Sequence, residues 1–194
     1  MALTWPASIR PSEMTWGLVN NSRAFTSTLS NAQQIVGQPG AYWQCTLTFD
    51  LLTRIQEREL SAFLGKLDGM FGTFNLPAFT RRRTNNVGAL KVAAGNAQAR
   101  TISISGASAN SPLFAVGDYL TVTGEMFEVV DAVSSNAQGL ATVTVNKRIR
   151  RTMTAGTAIE YLAPYSEMRM TQDTWAMTVK PVVANGSYQF REAF

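Results

Sequence analysis

Apolar and polar positions alternate with a period of two along residues 42–49, with Trp43, Cys45, Leu47 and Phe49 on one face and Tyr42, Gln44, Thr46 and Thr48 on the other. That pattern predicts a strand buried on one side. The preceding NAQQIVG is separated from it by QPG, a turn composition, so residues 31–49 are expected to form two strands joined in a hairpin. TWGLV and RAFTST are shorter strand candidates upstream. The period then changes. Thr53 and Gln56 have capping-box spacing, and Leu60, Phe63, Leu64 and Leu67 fall on one helical stripe, while Arg58, Ser61 and Lys66 lie largely off it. A helix over about 53–68 is predicted, closed by Gly69 in a left-handed conformation. MFGTFNL then resumes extended character before Pro77.

From Thr80 to Asn86 the run TRRRTNN contains no apolar residue, which marks a surface connection and a boundary near residue 80. Beyond it RTISIS, DYLTVT, EMFEVVDAV, LATVTVN and TAIEY read as five short strands separated by GASANSP, TGE, SSNAQG and TAG. Five strands in so short a segment suit a small Greek-key barrel of the OB type. After Pro164 longer alternation returns in SEMRMT, TWAMTVKPVV and GSYQFREAF, with Trp175, Met177 and Val179 sharing one face and Tyr188 and Phe190 another. The expected fold is mainly β with a minor α contribution. Residues 1–80 and 166–194 make a discontinuous, sandwich-like sheet domain with one packed helix, and residues 81–165 make an inserted five-stranded OB-like barrel.

Composition bears on this picture in three ways. A chain of 194 residues with 45% apolar content can build one sizeable core or two small ones. No apolar run approaches the ~18 residues of a membrane span, and the opening MALTWPASIRPSEM lacks the apolar core of a signal peptide, so a soluble, unexported protein is expected. The single cysteine, Cys45, excludes an internal disulfide, and its place on the apolar face makes it core filler. Histidine is absent altogether, which removes Ser-His-Asp and Cys-His catalysis and most zinc sites.

The charge excess of four is confined to residues 81–165, because the remaining segments carry equal numbers of each sign. Its clusters give the candidate contact residues Arg81, Arg82, Arg83, Lys147, Arg148, Arg150 and Arg151. Phosphate contacts dominate nucleic-acid affinity, and OB barrels do bind single strands. Stacking platforms, however, need aromatics interleaved with the charge, and these runs contain none. Solvated connection or salt-bridged contact is the favoured reading, and nucleic acid is not the expected partner. Glu125, Glu128 and Asp131 offer carboxylates for two-carboxylate chemistry, but Asp118 and Glu125 have ordinary turn roles, and no phosphate-binding glycine loop occurs. No catalytic, cofactor or metal residues are assigned.

The stretches LTFDLLTRIQERELSAFLGKLDGMFGTFNLP, AVGDYLTVTGEMFEVVDAV, LATVTVNKRIR and NGSYQFREAF, taken in that order, resemble the distal tail proteins of long-tailed (siphovirus) phages, in the compact version with an OB-fold insertion. The resemblance implies a structural virion protein of the tail tip, assembled in the host cytoplasm. It implies subunits forming a six-fold ring between the tail tube protein and the tail hub with its neighbouring tip proteins, with no enzymatic activity, no cofactor and no membrane partner. The alternatives are an OB-type binding module for single-stranded nucleic acid or oligosaccharide, or a tail-tube or tail-completion subunit.

Overall fold

The protein is described by a computed structural model covering residues 2–193. In chain order its elements are β1 (Leu3–Thr4), β2 (Glu13–Thr26), β3 (Gln33–Leu52), α1 (Arg54–Lys66), β4 (Phe74–Pro77), a 3-10 turn (Phe79–Arg81), β5 (Gly88–Ala94), β6 (Thr101–Ala107), β7 (Pro112–Phe114), β8 (Tyr119–Val122), β9 (Glu125–Glu128), β10 (Val133–Ser134), β11 (Ala141–Thr144), β12 (Tyr165–Met170), β13 (Thr178–Val179) and β14 (Ala184–Glu192). The architecture is mainly β with one α-helix and several sheets. That helix is too short and too polar to cross a membrane.

The largest sheet has the order β1-β4-β12-β14-β3-β2, with β13 added to β14. Strands from both ends of the chain therefore share one ladder: β4 pairs with β12, β12 with β14, and β14 with β3, all antiparallel. The alternation of β3 puts Trp43, Cys45, Leu47 and Phe49 into the core, and β14 adds Tyr188 and Phe190 to the same face. Helix α1 covers that face through Leu60, Phe63, Leu64 and Leu67. Trp5 joins them, with its ring centroid 5.3 Å from Phe63 and 5.6 Å from Phe74, while its indole N–H donates to the Ile9 carbonyl at 2.8 Å. The helix starts where predicted: the Gln56 N–H donates to the Thr53 hydroxyl, and the Thr53 N–H donates to the Gln56 side chain. It stops where Asp68 and Gly69 both turn left-handed, at φ 50° and 63°.

The predicted hairpin at QPG is not where the chain reverses. TWGLV and RAFTST belong to one continuous β2, NAQQIVG and YWQCTLTF to one continuous β3, and the reversal lies at residues 27–32, where the Ser27 N–H donates to Ala32 O. Pro39 and Gly40 sit at an irregularity where the register passes from Val19↔Tyr42 to Asn21↔Gln38, and Gly40 adopts φ 119°. The missing proline N–H costs nothing there, because β14 pairs only with the later part of β3 and leaves that edge open. TWAMTVKPVV also departs from expectation. Only Thr178–Val179 pairs, and Val179 is exposed, since β14 offers it a two-residue ladder and no opposing layer.

Residues 81–165 hold a second cluster built on Val92, Ile102, Ile104, Leu120, Val122, Phe127, Val143, Val145 and Ile149. Its strands form three small sheets, β11-β6-β5, β8-β9 and β10-β7, linked by single bridges such as Thr121↔Glu160 and Val129↔Val145. None of them closes into a barrel. Most of these ladders are two to four residues long, too short to carry a continuous stagger around a closed sheet. TAIEY contributes only bridges, whereas GALKVAA and PLF pair as β5 and β7. The β8–β9 hairpin turns on Thr123 and Gly124, both at positive φ, the geometry of a tight two-residue turn. It also faces two ways: Leu120, Val122 and Phe127 enter the second cluster, while Tyr119 and Met126 enter the first.

Candidate functional site

The segment following β11 continues the strand period, so Lys147 and Ile149 point inward while Arg148 stays exposed. Across the seam between the two clusters, β14 ends with Tyr188, Phe190 and Glu192 on its buried face. The Lys147 ammonium lies 2.6 Å from both Glu192 carboxylate oxygens, and an Arg150 guanidinium nitrogen lies 2.5 Å from one of them. The Trp43 N–H donates to the same carboxylate at 3.0 Å, and Glu125 stands 3.5 Å from Lys147 and 3.7 Å from Arg150. Arg150 also donates to the carbonyls of Ala193 and Ala41. Four charges from three parts of the chain thus meet at the joint.

Burial governs the electrostatics of this group. Desolvation lowers the Lys147 pKa, and Arg150 acts in the same direction; Glu192 and Glu125 oppose the shift. Desolvation likewise raises the Glu125 carboxyl, against the pull of Lys147 and Arg150. Buried ion pairs recover their desolvation cost only with good geometry and saturated hydrogen bonding, so their main effect is to fix which groups meet. The arrangement fastens residues 81–165 onto the main sheet. Trp43 reinforces it by donating its indole N–H to Met126 O at 2.9 Å, and the Thr121 hydroxyl donates to Tyr165 O.

The seven candidate basic residues do not form one surface. Lys147 and Arg150 are committed to the seam, with Arg151 beside them. Arg81 donates to Gly117 O and lies over the Tyr119 ring at 5.1 Å. Arg82, exposed, lies 5.9 Å from the Phe79 ring. Arg83 donates to Leu113 O, pairs with Asp118 at 3.3 Å and packs over Phe114 and Tyr161. Arg148 donates to Gln98 O. Five of the seven are therefore engaged within the protein, three as loop staples and two in the seam.

The carboxylates likewise serve structure. Asp118 accepts from the Ala115 N–H, Glu128 is bonded to Asn146, and Asp131 is exposed. No group of three or more metal-ligating side chains occurs among the described residues. Cys45 is buried, and burial pushes its thiol pKa well up, which makes it unreactive. Glu192 was not among the sequence candidates. Its signal is a carboxylate at the third inward position of the Tyr188, Phe190 alternation, where an apolar residue is expected.

A second feature lies at the far end of β2 and β3. Residues 20–39 are exposed throughout, although Asn21↔Gln38 to Thr26↔Gln33 remain paired. This two-stranded arm leaves Phe25 60%, Leu29 98% and Ile35 66% exposed. A lone hairpin is marginally stable in water, and apolar side chains on both its faces gain nothing from solvent. Compared with known proteins, the chain matches no family model and no curated protein.

Proposed function

We propose that the protein is a self-assembling structural subunit of the tail tip of a long-tailed phage: a distal tail ring component between the tail tube and the hub, with no catalytic role. On this reading residues 1–80 and 166–194 form the ring-building unit. Residues 81–165, an OB-like unit with open sheets, are carried at its side. The observation that carries the proposal is the uncovered arm of β2 and β3.

Leu51, Ile55, Val179 and Val182 are also exposed, at the opposite end of β3 from the arm. Apolar surface at both ends of one strand favours head-to-tail contact, and heterologous contacts close into rings when the rotation permits. The seam network supports a rigid attachment of the side unit, as a particle component requires. The competing reading, a nucleic-acid-binding module, is disfavoured because a basic side chain held in an internal pair or a loop staple is lost to phosphate contacts.

Native mass spectrometry and electron microscopy of the purified protein test the assembly. A closed oligomer that falls to monomer in the double variant F25D/I35D is expected, with the melting temperature of the subunit unchanged because both side chains are exposed. A wild-type protein that stays monomeric at high concentration, in the absence and presence of tail-tube protein, would sink the proposal.

A further inference from the structure

The seam network leaves one of its atoms over. Glu125 Oε1 is buried and has no hydrogen-bond partner, although the Lys147 ammonium stands 3.5 Å from it. Lys147 itself lies 2.6 Å from both oxygens of Glu192, with its nitrogen 5.0 Å from the centre of the Phe127 ring. The two Glu192 oxygens are not equivalent. Oε2 accepts from the Trp43 N–H at 3.0 Å and from Arg150 at 2.5 Å, while Oε1 faces Lys147.

A buried amine, a carboxylate in contact with it and a second carboxylate beside the amine are the components of an amide-forming centre. The geometry points to an intramolecular isopeptide bond between Lys147 Nζ and Glu192 Cδ, formed by the folded protein itself with Glu125 carrying the protons. Freshly folded protein holds the ion pair, and the bond accumulates afterwards. Glu125 takes a proton from the Lys147 ammonium, and the neutral amine attacks Glu192 Cδ as the carboxylate turns about its soft terminal torsion. Charge developing on Oε2 is met by the Trp43 N–H and the Arg150 guanidinium, which act as an oxyanion hole. Two of the three ammonium protons pass through Glu125 to Oε1, the Cδ–Oε1 bond breaks, and Oε1 leaves as water. The third proton stays on the amide nitrogen, and Glu125 ends ionised as it began. No oxidant or activated leaving group is consumed.

In water an ammonium and a carboxylate do not condense, because both charged forms are well solvated. Burial removes that solvation here, and it is the leading cause that draws the Lys147 pKa down and the Glu125 pKa up. Holding the groups in contact replaces a collision by an effective concentration of about 10⁵–10⁸ M. The released water escapes through the cleft of about 480 Å³ that Glu125 and Arg150 line. The bond ties β14 to the segment after β11 across 45 positions of chain, so the two clusters become covalently joined. The inference does not depend on the ring reading, because it concerns the side chains of one subunit.

The full-length protein is denatured and its intact mass measured, fresh and after incubation below its melting temperature, and a proteolytic digest is sequenced by tandem mass spectrometry. The expected result is a loss of one water that grows with time, together with a branched peptide joining Lys147 to Glu192. Lys147→Met keeps its full mass. Glu192→Gln forms the same bond with loss of ammonia in place of water, mapped to the same two positions. Glu125→Gln, shown to be folded by its cooperative melt, forms the bond about 10²–10⁴-fold more slowly.

The wild-type digest decides the matter directly, so the test stands even where a variant fails to fold. Wild-type protein that keeps its full mass throughout overturns the inference, as does a water loss that survives in Lys147→Met or maps to other residues. A folded Glu125→Gln that reacts at the wild-type rate overturns the proton-carrying role of Glu125.

Discussion

At the residue scale, the most informative side chains are polar groups in apolar company. Lys147 and Glu192 are both fully buried, and each satisfies the other. Lys147→Met leaves Glu192 and Glu125 to share Arg150 as their one cation in a buried setting and is expected to destabilise the protein by about 3–5 kcal/mol in urea unfolding. The double variant Lys147→Met/Glu192→Gln should recover much of that loss, because the uncompensated carboxylate is gone. Tyr188 is a contrasting case, with its hydroxyl buried and without a hydrogen-bond partner. Burial, with a smaller contribution from Glu57, pushes its pKa from 10.0 up to about 12. The folded state thus holds the phenolic proton more tightly than the unfolded state does. The associated stability is complete below pH 10 and drains away as pH rises towards 12. Tyr188→Phe should abolish that alkaline loss in pH-dependent melting, and at neutral pH should leave stability unchanged or raise it by about 1 kcal/mol.

At the element scale, the helix was the most legible part of the chain. Its cap and its stripe are both local, spanning three to fourteen residues, and each residue named from the sequence holds the predicted place. Thr53→Ala removes one side of the reciprocal cap and is expected to cost about 1 kcal/mol, read from the urea midpoint at an unchanged slope. Strand location was less legible. Alternation showed which face of 42–49 is buried, but QPG looks like a turn in isolation and becomes an irregularity only because β2 runs alongside it. Trp175, Met177 and Val179 alternate just as well, yet only Val179 of the three pairs with a strand, and it stays exposed, while only Met177 packs against the core. Alternation states which side would be buried; it does not supply the neighbour that buries it.

At the scale of the whole molecule, the notable relation is between β4 and β12. Pro77 pairs with Tyr165, and the Ala78 N–H donates to Pro164 O, so the chain leaves the main sheet and returns to it at adjacent points. Replacing residues 81–163 by a short glycine turn should therefore yield a protein that still folds around the first cluster, measured by circular dichroism and cooperative melting. Its tryptophan emission should shift to the red, because Tyr119 and Met126 no longer cover Trp43. Loss of all cooperative folding in that variant would show instead that the two clusters form one inseparable unit.

The sequence by itself determined the β-rich character, the single helix with its cap, the inward faces of β3 and β14, and the absence of histidine chemistry. Each of these follows from periodicity, local propensity or composition, which act over a few residues. Only the tertiary structure decided that Glu192 meets a lysine 45 positions away, that Arg81, Arg83 and Arg148 are loop staples, and that half of the longest hairpin stands uncovered. Those outcomes depend on long-range pairing, in which burying a charge or an apolar face is favourable only once a distant partner arrives. No repeat along the chain encodes which partner that will be.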